Sequence, residues 1–176
     1  MNVIAANFKQ GENCKIGHFC VISEDVVIGN NVTIGHHTIL HAGIRIGDNS
    51  VVGSFCELGK GIVIGKDVTV QGRIRLGNEC TIEDGVTIKY GTILTSNVLL
   101  KRNSFLGPNV ITLGSTHKRV EVHGSVIGEN TYIGAGSKIA GGVKVGNDIV
   151  VGAMSFVNKN IDEQGVYVGI PIKKIK

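Results

Sequence analysis

Residues Val32–Asn49 read VTIGHHTILHAGIRIGDN. Ile34, Leu40 and Ile46 stand six apart in this stretch, and glycine follows two of them, at Gly35 and Gly47. Three of the chain's six histidines, His36, His37 and His41, fall between them. The six-residue interval continues in both directions. An aliphatic residue recurs at every sixth position from Ile16 to Leu106, and again from Ile127 to Val157. Two positions earlier sits a small or β-branched residue, as at Val26, Val32, Thr38, Ile44 and Ile62. A period of six matches neither a 3.6-residue helix nor a series of hairpins. It suits a solenoid in which each hexad is one short strand and one turn. Positions two apart on a strand face the same way, so both marked positions point inward. Gly, Asn and Asp supply left-handed turn conformations at low steric cost. Three hexads make one triangular coil of 18 residues, and coils stack at about 4.8 Å, the strand spacing.

The composition agrees. The 176 residues suffice for one domain with a full core. They include 26 glycines and two prolines, with no Trp and only 5% aromatics, so Val, Ile and Leu must fill a narrow, regular interior. The net charge is +4, and no run of Lys and Arg is interleaved with aromatics, so no nucleic-acid partner is expected. The N-terminal MNVIAANFKQ lacks a charged segment leading into a long apolar one, and no run is long enough to span a bilayer. A cytoplasmic protein with no membrane partner is expected. Cys14, Cys20, Cys56 and Cys80 each stand two positions before an aliphatic site, which makes them inward fillers and not disulfide or metal residues.

The register breaks once. Leu106 and Ile127 are 21 apart, which is not a multiple of six. If the solenoid runs through Thr112, the next hexad arrives about nine residues late. The expected organisation is a single domain over 1–176, with coils at about 14–112 and 125–157, a loop at 113–124 and a tail at 158–176. The loop reads LGSTHKRVEVHG and carries His117, Lys118, Arg119 and His123. An insertion in a solenoid is tolerated and is a common seat of function.

Three segments in order carry a family resemblance: FLGPNVITLGSTH (105–117), GSVIGENTYIGAGSKIAGGVKVGNDIVVGAMSFVNKNI (124–161) and VYVGIPIKKIK (166–176). With the hexad run they resemble the hexapeptide-repeat acyltransferases. VTIKYGTIL (86–94) with FLGPNV resembles the sugar-nucleotide amine N-acetyltransferases among them. The resemblance implies a left-handed parallel β-helix, all-β, and acetyl-CoA as co-substrate with no metal. It also implies a homotrimer with sites between subunits and a sugar or nucleotide-sugar acceptor.

It further implies roles. His117 matches the catalytic base, which takes a proton from the acceptor as it attacks the thioester. His123 is the fallback. Ala135 and Ala153 match positions lining the pantetheine arm. Asn158 and Lys159 match the Thr-Lys after the last coil, and Lys173 and Lys176 match terminal basic residues that meet the coenzyme phosphates. Asn-Lys-Asn-Ile-Asp stands where Thr-Lys-Asp-x-Pro is common, and Ile170 and Ile172 replace Asn and Ala around Pro171. Lys89, Tyr90 and Asn109 lie at the level expected for the acceptor.

A second reading starts from the opening stretch. His36 and His41 stand at the His-x4-His positions of the gamma-class carbonic anhydrases, which it resembles. Zinc needs a third protein ligand and an open position for water. His18, 18 residues before His36, is the available upstream histidine, although KIGHFCVI does not resemble that family's segment. A third reading is a noncatalytic trimerisation scaffold, against which the loop and tail argue.

Overall fold

The computed structural model describes residues 1–115, 118, 120 and 122–176. Most strands are two residues long, because a turn follows each inward aliphatic residue. The strands stack into three parallel sheets. Face one runs through Val3–Ile4, Val21–Ile22 and Ile39–Leu40 up to Phe156–Val157. Face two runs from Lys9–Gln10 to Lys144–Val145, and face three from Lys15–Ile16 to Gly165–Val168. An antiparallel strand, Lys173–Lys174, closes face three. Val21 pairs with Ile39 and Ile22 with Leu40, an offset of 18 that is one coil.

The fold is a left-handed parallel β-helix. The usual right-handed crossover rule rests on a strand feeding a helix that packs back on the sheet. Two-residue strands joined by short turns contain no such unit. At the corners a residue with φ near +57° reverses the chain, as at Asn31, Asn49 and Asp67.

The core is two inward residues per hexad. Ile22, Ile28, Ile34, Leu40, Ile46 and their successors are at most a few per cent exposed. Each buried side chain of this size stabilises by about 1.5–3 kcal/mol. At the second inward position Val and Ile alternate with residues whose hydroxyl or thiol can reach the backbone of the next coil. Thr38 Oγ1 donates to the Gly53 carbonyl at 2.8 Å, and Ser50 Oγ to that of Gly65 at 2.9 Å. Cys20 Sγ and Cys56 Sγ occupy the same slot, each 3.0 Å from a carbonyl oxygen. Cys14 is half-buried.

The same phase extends ahead of Cys14. Val3–Ile4 and Lys9–Gln10 pair with the coil above, and Gln10 fills the slot where an aliphatic residue would have revealed the hexad. Farther along, Leu99 pairs with Val126, an offset of 27 against the usual 18, so nine extra residues leave the coil there. After the last full coil, Gly165–Val168 pairs with Ile149–Val151, and the Tyr167 hydroxyl donates to the Glu163 carbonyl at 2.7 Å. Among the described residues no helix is long and apolar enough to cross a membrane.

Candidate active site

Three edges separate the faces, and the chemistry divides between two of them. The edge between faces one and two (edge 1–2) carries the insertion. Its legs meet where the Val122 N–H donates to the Gly114 carbonyl at 3.2 Å. Glycine is required on these legs. A Cβ at Gly124 would collide with the Asn97 carbonyl, and one at Gly141 with Val122 and the Leu113 carbonyl. At the foot of the loop, Thr112 Oγ1 accepts the Thr95 N–H at 2.8 Å and lies 3.0 Å from Thr95 Oγ1.

Two open clefts flank the legs. One, of about 420 Å³, lies on the face-one side between Arg75, Thr95, Asn97 and Gly114. The other, of about 760 Å³, lies on the face-two side and is lined by Asn97, His123, Gly142 and Lys144. His123 therefore faces a cleft. His117 lies outside the described residues. Below the first cleft runs a chain of polar side chains missed in the sequence: His41 Nε2 is 3.4 Å from Glu57 Oε1, and Glu57 Oε2 is 3.6 Å from Arg75 Nε. Counting in steps of 18 would have found the Glu57–Arg75 half, since they are stacked neighbours on face one.

The edge between faces three and one (edge 3–1) carries the other expected residues. Lys89, Tyr90 and Asn109 lie on it, with Ala135 and Ala153 on successive coils above. Lys89 Nζ sits 5.6 Å over the Phe105 ring, which stacks on Tyr132 at 4.9 Å. The Asn109 carbonyl accepts from Lys138 Nζ at 3.3 Å. Side chains are small here because coils approach closely: a Cβ at Gly107 would stand 2.7 Å from the Ala135 nitrogen, and one at Gly134 would meet the Ala153 nitrogen. The tail joins this edge, since the Gly169 N–H donates to Ser155 Oγ and the Phe156 N–H to the Gly169 carbonyl, both at 3.0 Å. Lys173 and Lys176 are exposed on the closing strand pair and just beyond it. Asn158 and Lys159 are exposed where the last strand of face one ends, toward edge 1–2, and so stand apart from the two alanines.

The zinc triple does not converge within the chain. His18 and His36 stack on edge 3–1 with ring centroids 5.3 Å apart. His41 begins the turn after Ile39–Leu40, toward edge 1–2, and faces Glu57. Among the described residues no group of three His, Cys, Asp or Glu side chains is placed to hold a metal.

The geometry can be set beside known proteins. The bacterial transferase hexapeptide (six repeats) family matches residues 11–42, 25–60 and 124–159. The chain carries the hexapeptide repeat of that family over these residues. No curated protein matches it in sequence. Among solved structures, PerB from Caulobacter crescentus, in complex with CoA and GDP-perosamine, is 23% identical. The alignment covers 74% of the hexapeptide-repeat chain and 58% of PerB, with a TM-score of 0.57. The acetyltransferase domain of PglB from Neisseria gonorrhoeae, in complex with acetyl coenzyme A, is 21% identical, covering 69% and 52%, with a TM-score of 0.53. UDP-N-acetylglucosamine acyltransferase from Campylobacter jejuni is 19% identical, covering 99% and 72%, with a TM-score of 0.64. The hexapeptide-repeat chain thus spans little more than half the length of the first two.

Proposed function

We propose that this chain is an acetyl-CoA-dependent acetyltransferase acting on a sugar, with the amino group of a nucleotide-linked amino sugar as acceptor. It works as one solenoid domain with loop 113–124 inserted, in a cytoplasmic homotrimer. One observation carries the reading: the single register break puts the inserted loop on edge 1–2, while Ala135, Ala153 and the Gly169 turn of the tail line edge 3–1. Face one separates the two edges by roughly 15 Å, so one chain does not close the site and a neighbouring subunit does. The complexes of PerB with CoA and GDP-perosamine, and of the PglB domain with acetyl coenzyme A, support the choice of co-substrate and acceptor.

In the proposed reaction the acceptor nitrogen attacks the thioester carbonyl. A C–N bond forms, the C–S bond breaks, and the coenzyme leaves as the thiol. His117 takes the proton from the attacking nitrogen and passes it toward the sulfur. Backbone N–H groups along edge 3–1 face the carbonyl oxygen as negative charge develops on it. Lys89, Tyr90 and Asn109 bind the acceptor. Lys173, Lys176, Asn158 and Lys159 meet the coenzyme phosphates from the two sides of the subunit boundary.

The test is thiol release from acetyl-CoA in the presence of a panel of nucleotide-linked amino sugars and their hydroxyl counterparts. Release dependent on an amino sugar is expected. Stoichiometric bound zinc with no thiol release would overturn the reading.

A further inference from the structure

The turn residues with positive φ differ in kind between edges. On the edge between faces two and three they are Asn13, Asn31, Asn49, Asp67, Gly85, Asn103, Asn130 and Asp148, the residue types that tolerate this conformation. On edge 3–1 the lower four coils instead place Phe19, His37, Phe55 and Arg73 there, at φ of 59°, 56°, 60° and 54°. A bulky side chain in this conformation costs about 1–2 kcal/mol. The four form a continuous ladder. Phe19 stacks on His37 at 5.0 Å, His37 on Phe55 at 5.0 Å, and the Arg73 guanidinium lies 5.6 Å over Phe55 and 6.0 Å from Tyr90. Stacking recovers part of the strain. It does not account for the exposure, since Phe19 and Phe55 remain 59% and 56% exposed.

Edge 1–2 of the same coils has the opposite relief. Six residues after each rung, and so at nearly the same height, stand Asp25, Gly43, Gly61 and Glu79. A Cβ at Gly43 would meet nothing closer than 3.9 Å, so the turn is open there. The Glu79 carboxylate folds down over Gly61, just as Arg73 folds down over Phe55. The turns of edge 3–1 from Gly17 to Thr92 contain His18, His36, His37, Arg73 and Lys89 and no carboxylate. Those of edge 1–2 over the same coils carry three carboxylates, Glu24, Asp25 and Glu79, beside His41 and Lys60. At equal heights His37 stands level with the open turn at Gly43, Phe55 with Gly61 under the Glu79 carboxylate, and Arg73 with Glu79 itself.

We propose that the Phe19–His37–Phe55–Arg73 ladder docks onto the Asp25–Gly43–Gly61–Glu79 edge of a second copy of this chain. The two copies have parallel axes, and the contact is head-to-tail. Parallel axes keep equal heights together, and a heterologous contact between two edges of one triangle closes into a ring. The inference deepens the homotrimer reading above by naming the edges that meet. It also brings the coenzyme edge of one copy against the loop edge of the next.

The test is a charge exchange on the full chain, followed by sedimentation. Arg73 and Glu79 are both exposed and lie on different edges. Arg73→Glu alone and Glu79→Arg alone each raise the trimer dissociation constant by about a hundredfold. The double variant restores assembly. Phe55→Asn, which installs the residue ordinary at this φ, weakens assembly while leaving the monomer's thermal unfolding unchanged or higher. A trimeric wild type whose assembly ignores all four variants would overturn the edge pairing and leave the trimer standing. A monomeric wild type would overturn both. Rescue by the double variant without any thiol release upholds the pairing and removes the acetyltransferase reading alone.

Discussion

The main-chain N–H of His18 donates to Nδ1 of His36 at 2.9 Å. The same bond recurs at this turn position with other side chains. Asn30 Oδ1 accepts from the Glu12 N–H, Asp48 Oδ1 from Asn30, Ser54 Oγ from His36, and Asn78 Oδ1 from Lys60. His36 thus acts as one more acceptor tying a turn to the turn below. Replacing it by Ala should cost about 1 kcal/mol, while His36→Asn should keep wild-type stability. Urea midpoints of the two variants test this. Zinc added to the wild type should shift neither midpoint nor slope; a saturable stabilisation by zinc would return His36 to the metal reading.

Ser104 and Ser50 occupy the same inward slot with opposite outcomes. Ser50 Oγ donates to the Gly65 carbonyl and accepts the Val68 N–H at 3.0 Å. Ser104 Oγ is buried and has no partner among the described residues. A buried hydroxyl without a partner is costly, so its removal should be neutral or stabilising. Ser104→Ala should leave the melting temperature unchanged or raise it, and Ser50→Ala should lower stability by about 1–2 kcal/mol. Calorimetry of the pair decides, because both variants delete the same atom from the same kind of site.

Burial pushes the Cys80 thiol up to about 11, and Cys56 in the same direction. A folded-state value above the unfolded one means that the folded chain holds the proton more tightly. The resulting stability is complete below about pH 9 and is lost as pH rises toward about 11. Wild type should therefore lose more stability between pH 8 and pH 10.5 than Cys80→Ser, whose hydroxyl suits the slot that Ser50 fills. Native-state labelling with a thiol reagent at pH 8 should leave Cys80 unmodified until denaturant is added.

The six-residue period made the fold legible, because strand and turn alternate with no exception from Ile16 to Leu106. The nine-residue insertion was legible for the same reason. What the hexad count leaves open is the edge on which a residue stands, since that repeats every 18 and not every six. His36 and His41 are five apart in sequence and lie on opposite sides of face one, while His18 and His36 are 18 apart and touch. Proximity along the chain thus paired His36 with His41 as metal ligands, although the coil separates them. The ladder of Phe19, His37, Phe55 and Arg73 was visible at that longer interval. Its strain was not, because φ at a turn is set by the corner and not by the residue filling it. Nor does the hexad count alone show that Ala135 and Ala153 occupy a different edge from the loop.

His117 and His123 stand six residues apart in the insertion and should separate in function. His123 faces the cleft on the face-two side, with Lys144 and Gly142. The reading proposed above gives the role of base to His117, which lies outside the described residues. His117→Ala should lower kcat by about 10²–10⁴-fold with KM for acetyl-CoA little changed and the trimer intact. His123→Ala should change kcat by less than about tenfold. Steady-state kinetics of both variants, with sedimentation as the assembly control, test the assignment. A large loss in His123→Ala with full activity in His117→Ala would exchange the roles and move the reacting centre to the face-two side of the loop.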